Sequence, residues 1–446
     1  MLKLVFRTIV IFTISGLFMG CNRKPDQSEI IMRGKEFTGN LISNQYKEAY
    51  EYLDSYMTEK YTQDFMRNQW AIAIKELGSF KQMGDILYEK QQELHIVTVP
   101  CNFEKNTLFV RLMIKDNRKI VQVNFAPKEK PIAYEIPDYI NKENYREINL
   151  EIVHEGYRLP AIMTIPVQPG NPVPVILLIP GSGPQDRDQS IGPNKIFKDL
   201  ALGLAQNGIA TLRYDKRSFV YGGAVSRTNQ YTIQEELVDD ALAAARLLRT
   251  QKSIDPQKIF LLGFSLGGQL IPRITEQDNK FAGYILMAAT SRPLEDVLWE
   301  QMNYVWGQDI KNADLNKKRL DTLRQQIILV KSDSLNAYTP ATRLPFQTPA
   351  SYWLDLRNYD PLSLIKKINQ PILVIQGRRD YQTIFLDYKG WQDALEGKKT
   401  ATFINYPSLN HLFMEGEGMS VPQEYMVPGH VKKEVITDIA QWLKKN

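Results

Sequence analysis

Ile259-Phe260-Leu261-Leu262-Gly263-Phe264-Ser265-Leu266-Gly267-Gly268 is the stretch on which the fold turns. Ile259–Leu262 is a continuous apolar run without alternation, which suits a strand covered on both faces inside a parallel sheet. Gly263-Phe264-Ser265-Leu266-Gly267 then has the G-x-S-x-G spacing, and an apolar helix follows at once. Three common residues at fixed spacing are weak evidence alone. Set between a buried strand and a helix, they describe a sharp turn that exposes a serine hydroxyl at the end of a sheet.

Working outward, Val175–Ile179, Tyr284–Met287 and Ile372–Ile375 are further continuous apolar runs. Amphipathic segments lie between them. Ile196, Leu200 and Leu204 share one helical face that ends at Asn207-Gly208. Thr232-Ile233-Gln234-Glu235 reads as a capping box, and Ile233, Leu237, Leu242, Ala245 and Leu248 form the buried face that follows. Such alternation predicts an α/β class, with a doubly wound, mostly parallel sheet. A hairpin, Tyr145–Val153 and Leu159–Ile165 around Gly156, precedes it. The interval from Ala289 to Pro371, rich in Trp, Tyr and charge, is too long for a bare loop. It predicts a mostly helical cap at about residues 291–365.

Residues 28–126 have a different pattern. The segment up to about residue 80 reads as helices, including a stretch with Trp70, Ile72, Ile74 and Leu77 that ends at Gly78. Leu108, Val110, Leu112 and Ile114 then alternate as in a half-buried strand, and Val121, Val123 and Phe125 continue after an Asp116-Asn117-Arg118 turn. This predicts a small α+β accessory domain with no catalytic constellation, joined by a polar, Pro-bearing linker at 127–140 to a catalytic domain at 141–446.

The 446 residues are 43% hydrophobic and 24% charged, ordinary for a folded protein, and the net charge of +5 is scattered, which gives no argument for nucleic-acid binding. Residues 1–20 differ: Lys3 and Arg7 precede the apolar run Ile9–Met19, which is shorter than the roughly 20 residues a membrane span needs. The pattern is that of a secretory signal. Leu17-Phe18-Met19-Gly20-Cys21 resembles a bacterial lipobox, with Phe18 where Leu is usual. The expectation is an exported protein, lipid-anchored to the cell envelope through Cys21. Only Cys101 remains, so no disulfide is expected, and its apolar surroundings suit a small buried hydrophobe.

A serine hydroxyl needs a base, and the base a carboxylate that orients it, following the nucleophile in the order Ser, acid, His. Of four histidines, His95 and His154 precede Ser265. His411 follows the strand Thr402–Tyr406 by a short loop, whereas His430 opens the final helix and suits a local structural role. Asp380 lies just beyond the run Ile372–Ile375; Asp387, Asp360 and Glu415 are the other carboxylates in range, and Arg378 and Arg379 offer Asp380 a plain ion pair instead. The oxyanion needs fixed N–H donors. Leu266 supplies one. The Pro180-Gly181-Ser182-Gly183-Pro184 loop supplies the other, from Ser182 in preference to Gly181 or Gly183. Tyr352 and Trp353 either line a substrate pocket or pack the cap's core.

Gly-Ser-Gly-Pro-Gln-Asp-Arg-Asp at 181–188, Arg-Tyr-Asp-Lys-Arg at 213–217, Gly-Phe-Ser-Leu-Gly-Gly at 263–268, Gln-Gly-Arg-Arg-Asp-Tyr-Gln at 376–382 and Asn-His-Leu-Phe at 410–413 resemble a bacterial acyl-esterase branch of the α/β-hydrolase superfamily, akin to dienelactone hydrolases. Many of those proteins carry a small N-terminal domain of unknown function that residues 28–126 also resemble. The resemblance implies a Ser265, Asp380, His411 triad, no metal and no cofactor. Pro180 stands where many relatives have His. Gln185–Asp188 and Asp215–Arg217 either contact polar groups of a substrate or brace loops by ion pairs. The function read from all this is cleavage of a small-molecule carboxylic ester by a serine acyl-enzyme route. A serine peptidase or amidase of the same fold, and a non-catalytic binding lipoprotein, are the alternatives. Acyl length, alcohol part and oligomeric state are not legible.

Overall fold

The computed structural model describes residues 25–91, 94–127, 134–167, 172–222 and 231–446. The signal segment 1–20, Cys21 and residues 128–133 of the linker lie outside them. Among the described residues no helix is long and apolar enough to cross a membrane. The chain divides into two compact units, Met1–Lys128 and Glu129–Asn446.

The first unit opens with four helices, α1 (Gln27–Ile42), α2 (Tyr46–Glu51), α3 (Ser55–Lys60) and α4 (Gln63–Leu77). Asp26 and Thr62 cap α1 and α4 by accepting the amides of Glu29 and Phe65 at 2.9 and 3.1 Å. Five antiparallel strands follow: β1 (Phe80–Met83), β2 (Leu87–Gln91), β3 (Leu94–Phe103), β4 (Thr107–Lys115) and β5 (Ile120–Pro127). Leu108, Val110, Leu112 and Ile114 of β4 are all buried, as their alternation predicts. They pack with Phe37, Leu41 and Trp70 of the helices. Ile72 is exposed because a helix turns about 100° per residue and carries it to the side opposite Trp70; Ile74, one turn beyond Trp70 toward the end of the helix, is exposed as well. Cys101 is buried in this core, and burial pushes its thiol up to about 12.

The second unit is built on an eight-stranded sheet. Its edge hairpin is β6 (Tyr145–His154) and β7 (Tyr157–Pro166), followed by β8 (Val173–Ile179). A two-residue pair, β9 (Ser190–Ile191) and β10 (Asn194–Lys195), leads into α5 (Ile196–Ala205), β11 (Ala210–Tyr214) and α6 (Arg217–Tyr221). After them come α7 (Asp239–Arg249), β12 (Ile254–Phe264), α8 (Leu266–Gln269), α9 (Ile271–Gln277) and β13 (Gly283–Met287). The cap holds α10 (Leu294–Gln308), α11 (Ala313–Lys331), α12 (Ala350–Arg357) and α13 (Pro361–Ile365). The chain closes with β14 (Ile372–Gly377), α14 (Phe385–Ala394), β15 (Ala401–Tyr406) and α15 (Lys433–Lys445).

The strand order is β15-β14-β13-β12-β8-β11-β7-β6. The pairs from β15 to β11 are parallel, and only β11–β7 and β7–β6 are antiparallel. The inner strands are apolar on both faces because helices cover both: Leu177, Ile259 and Leu261 face one buried cluster, Ile176, Phe260 and Leu262 the other. Register brings the carboxyl ends level, with Gly263 opposite Ile179, Met287 opposite Ile375 and Gly377 opposite Tyr406. The loops after β8, β12, β14 and β15 therefore emerge along one end of the sheet, where ligands of such sheets bind.

Strand β11 has little apolar signature because it carries Thr211 and Arg213, both nonetheless buried. Asp188, Glu147 and Thr164 bond its guanidinium at 2.9, 2.6 and 2.8 Å. The capping box at Thr232 is half formed. Glu235 accepts the Thr232 amide at 2.8 Å, but the threonine hydroxyl accepts from Gln234 at 3.2 Å, and the helix opens with a wide turn at Gln234–Val238 before α7.

Candidate active site

Ser265 occupies the turn between β12 and α8 at φ 54°, ψ −120°, a strained conformation for any residue but glycine. Its amide donates to Met287 at 2.9 Å, which ties the turn to β13. The flanking glycines are required by close backbone approach. A Cβ on Gly263 would lie 2.4 Å from the Gly267 carbonyl oxygen, and one on Gly267 would lie 2.5 Å from the carbonyl oxygens of both Ile179 and Pro180. The serine thus sits where β12, α8 and the loop after β8 crowd together, half-buried rather than sealed.

Asp380 and His411 meet beside it. Asp380 lies in the turn after β14 and His411 in the loop after β15; both are buried, and His411 Nδ1 is 2.6 Å from Asp380 Oδ2. The carboxylate accepts three more bonds, from Gln376 Nε2 at 3.0 Å and from the amides of Gln382 and Thr383 at 2.7 and 2.9 Å. The His411 ring packs at 4.8 Å on Phe264, the residue before the serine. Among the described residues no hydrogen bond joins the Ser265 hydroxyl to His411, whose side-chain partner is Asp380. The serine side chain rotates freely about one bond, and contacts of this kind commonly tighten only with substrate bound. Gly377, part of the 376–382 motif, has a packing role that the motif alone does not reveal. A Cβ there would lie 2.4 Å from the Leu409 carbonyl oxygen, so glycine lets the end of β14 pass against the histidine loop.

The other candidates are engaged elsewhere. Asp387 accepts from Thr290, Ser291 and Arg292 and pins the start of the cap. Asp360 caps α13, and Glu415 is exposed and paired with Lys432. Arg379 bonds Glu424 at 2.7 Å, and Arg378 lies 3.7 Å over the Phe385 ring, so neither forms the plain ion pair with Asp380. His430 bonds Asp199 at 3.1 Å, a local contact that holds its pKa above the ordinary value of 6.5.

In the loop after β8, the Gly181 amide already donates to Gln189 Oε1 at 3.1 Å. The amides of Ser182, Gly183 and Leu266 have no acceptor among the described residues. The two charged clusters brace this region. Arg187 forms a two-pronged bond to Asp215 at 3.0 and 2.7 Å, and Arg217 does the same to Asp240. In the cap, Trp353 packs with Val330, Leu335 and Leu344, while Tyr352 reaches the main core and stacks on Tyr231 at 6.3 Å. A stack of Tyr304, Tyr381 and Tyr425, unsuspected from sequence, links α10 to the residue beside Asp380. The His, Asp and Glu side chains close enough together to hold a cation, among the described residues, are His154, Glu155 and Asp239, none of which belongs to this site.

A strained serine turn, a buried Asp–His pair and open amides at the carboxyl end of a mostly parallel sheet define a hydrolase of the α/β class, and the chain belongs to the alpha/beta hydrolase family, which it matches over residues 176–425. It is a homologue of an esterase: the protein named Esterase EstD, from Thermotoga maritima, is 34% identical over 412 residues, which span 92% of this chain and 94% of that one. Residues 34–123 match a family described as a protein of unknown function, DUF3887. Solved structures that resemble the chain include Est1E from Butyrivibrio proteoclasticus, at 13% identity and TM-score 0.43, covering 67% of this chain and 99% of that one. A puromycin-hydrolyzing peptidase from Mycobacterium tuberculosis is similar at 14% identity and TM-score 0.45, covering 80% of this chain and 46% of that one.

Proposed function

We propose that this protein hydrolyses carboxylic esters through a Ser265, His411, Asp380 triad and an acyl-enzyme intermediate. The observation that carries the reading is the buried 2.6 Å Asp380–His411 pair, packed on the residue that precedes a strained serine. His411 Nε2 takes the Ser265 proton as the hydroxyl oxygen attacks the ester carbonyl. Asp380 holds Nδ1–H, keeps Nε2 in the accepting form and stabilises the imidazolium. The oxyanion of the tetrahedral intermediate accepts from the amides of Ser182 and Leu266. His411 returns the proton to the departing alcohol, and a water activated by the same histidine releases the acid. Similarity to an esterase along 92% of the chain supports the choice of esters as the substrate class.

A fluorophosphonate should modify the folded protein at Ser265 and abolish hydrolysis of an acyl-length series of chromogenic esters, and Ser265→Ala should be inactive on all of them. Labelling elsewhere, or activity retained by Ser265→Ala, overturns the reading. We also propose that the protein is exported and anchored by lipid on Cys21. The basis is the lipobox-like Leu17–Cys21, and Cys21→Ala should then move it from the membrane to the soluble fraction.

A further inference from the structure

Lys216 is 1% exposed, and its ammonium lies between two acceptors: Glu236 Oε1 at 2.6 Å and the carbonyl oxygen of Gly181 at 3.0 Å. The amide of Gly181 is held from the other side by Gln189. The Gly181 carbonyl and the Ser182 N–H are the two ends of one planar trans peptide and point in opposite directions. A grip on the oxygen therefore aims the N–H. The positive charge does more than aim it. Amide resonance carries electron density from nitrogen toward the carbonyl oxygen, so an ammonium on that oxygen leaves the N–H a stronger donor, and a low-dielectric surrounding amplifies the effect. Bracing alone needs only a neutral donor, which avoids the desolvation penalty of a buried ion pair.

We propose that Lys216 is a positioning residue for ester hydrolysis, aiming and polarising the Gly181–Ser182 peptide so that the Ser182 amide stabilises the oxyanion. This rests on the reading of Ser182 as an oxyanion donor. Glu236 keeps the ammonium in place, and the cap reaches the same unit. Burial, and the Glu236 carboxylate facing it, raise the pKa of the Tyr352 phenol well above its ordinary value, and Tyr352 belongs to α12. The donor loop, the ion pair beneath it and the cap form one chain of contacts: Ser182, Gly181, Lys216, Glu236, Tyr352.

The test is kinetic. Lys216→Met should lower kcat about 10- to 100-fold, short of the 10²–10³ that follows complete loss of a donor, with KM changed less than about threefold. Affinity for a trifluoromethyl ketone, which forms a tetrahedral oxyanion on the serine, should fall by the same factor as kcat. Lys216→Arg should recover part of both. The double variant Lys216→Met with Glu236→Gln leaves no unpaired buried carboxylate, so it keeps the comparison possible if the single variant folds poorly, and its kcat should stay low. Retention of kcat and ketone affinity within threefold by Lys216→Met, or return of full kcat in the double variant, overturns the proposal. Ser182→Pro removes the N–H itself, and adding Lys216→Met to it should lower kcat no further. A Ser182→Pro protein as active as the parent, alongside an inactive Ser265→Ala, means instead that the donor was misassigned. Activity in Ser265→Ala means that the triad was.

Discussion

Asp380→Asn changes almost no volume and isolates the role of one charge. Four groups converge on the Asp380 carboxylate: His411 Nδ1 and Gln376 Nε2 at one oxygen, the amides of Gln382 and Thr383 at the other. An asparagine offers one acceptor oxygen, and the backbone amides, which cannot rotate, claim it. Its NH₂ then faces His411 and Gln376. Donation to Nδ1 places the imidazole proton on Nε2, where it can no longer accept from Ser265. The expected result is a fall in kcat of about 10⁴-fold, or about 5 kcal/mol added to the barrier. The NH₂ also meets the Gln376 NH₂ donor to donor, a buried mismatch worth about 1–3 kcal/mol of stability. Steady-state hydrolysis of a chromogenic ester reads the first effect and thermal melting the second. Glu415→Gln, on an exposed carboxylate paired only with Lys432, should leave kcat unchanged. A folded Asp380→Asn protein with kcat within tenfold of the parent would refute the assignment of Asp380 as the residue that orients His411.

Three further outcomes are expected. Gly267→Ala puts a Cβ 2.5 Å from two backbone oxygens of the donor loop, so it should lower stability by about 1–3 kcal/mol and depress kcat as that loop shifts, read by melting and kinetics together. Cys101, with its thiol near 12, should resist iodoacetamide in the folded protein and react once urea unfolds it; labelling of Cys101 under native conditions, located by mass spectrometry, counts against its burial. For His430, the Asp199 bond raises the folded-state pKa above the unfolded one, so its stabilisation is complete below the unfolded value near 6.5 and is lost as pH rises through the folded value. His430→Gln should therefore lower Tm more at pH 6 than at pH 9, and an equal loss at both contradicts the linkage.

The inner strands were legible because a strand covered on both faces must be apolar throughout, and Ile259–Leu262 or Ile372–Ile375 has no other economical reading. Strand β11 was not, since its buried Arg213 is tolerated only through partners contributed by Asp188, Glu147 and Thr164, none of them near it in the chain. In α4 the apolar content was plain, but Ile72 lies off the face that Trp70 buries, and Ile74, a turn beyond Trp70, is exposed too. The strained Ser265 turn was legible in the same way as the strands. Its demands are local: small residues where Gly263 and Gly267 touch backbone, and a serine between them. The order of Ser265, Asp380 and His411 was also written in the chain. That Glu424 and the Phe385 ring draw Arg379 and Arg378 away from Asp380, that Gln189 takes the Gly181 amide, and that Lys216 grips the Gly181 carbonyl were not. Those contacts join residues up to 45 positions apart, and only the register of a parallel sheet, bringing four strand ends level, decides which side chains meet there.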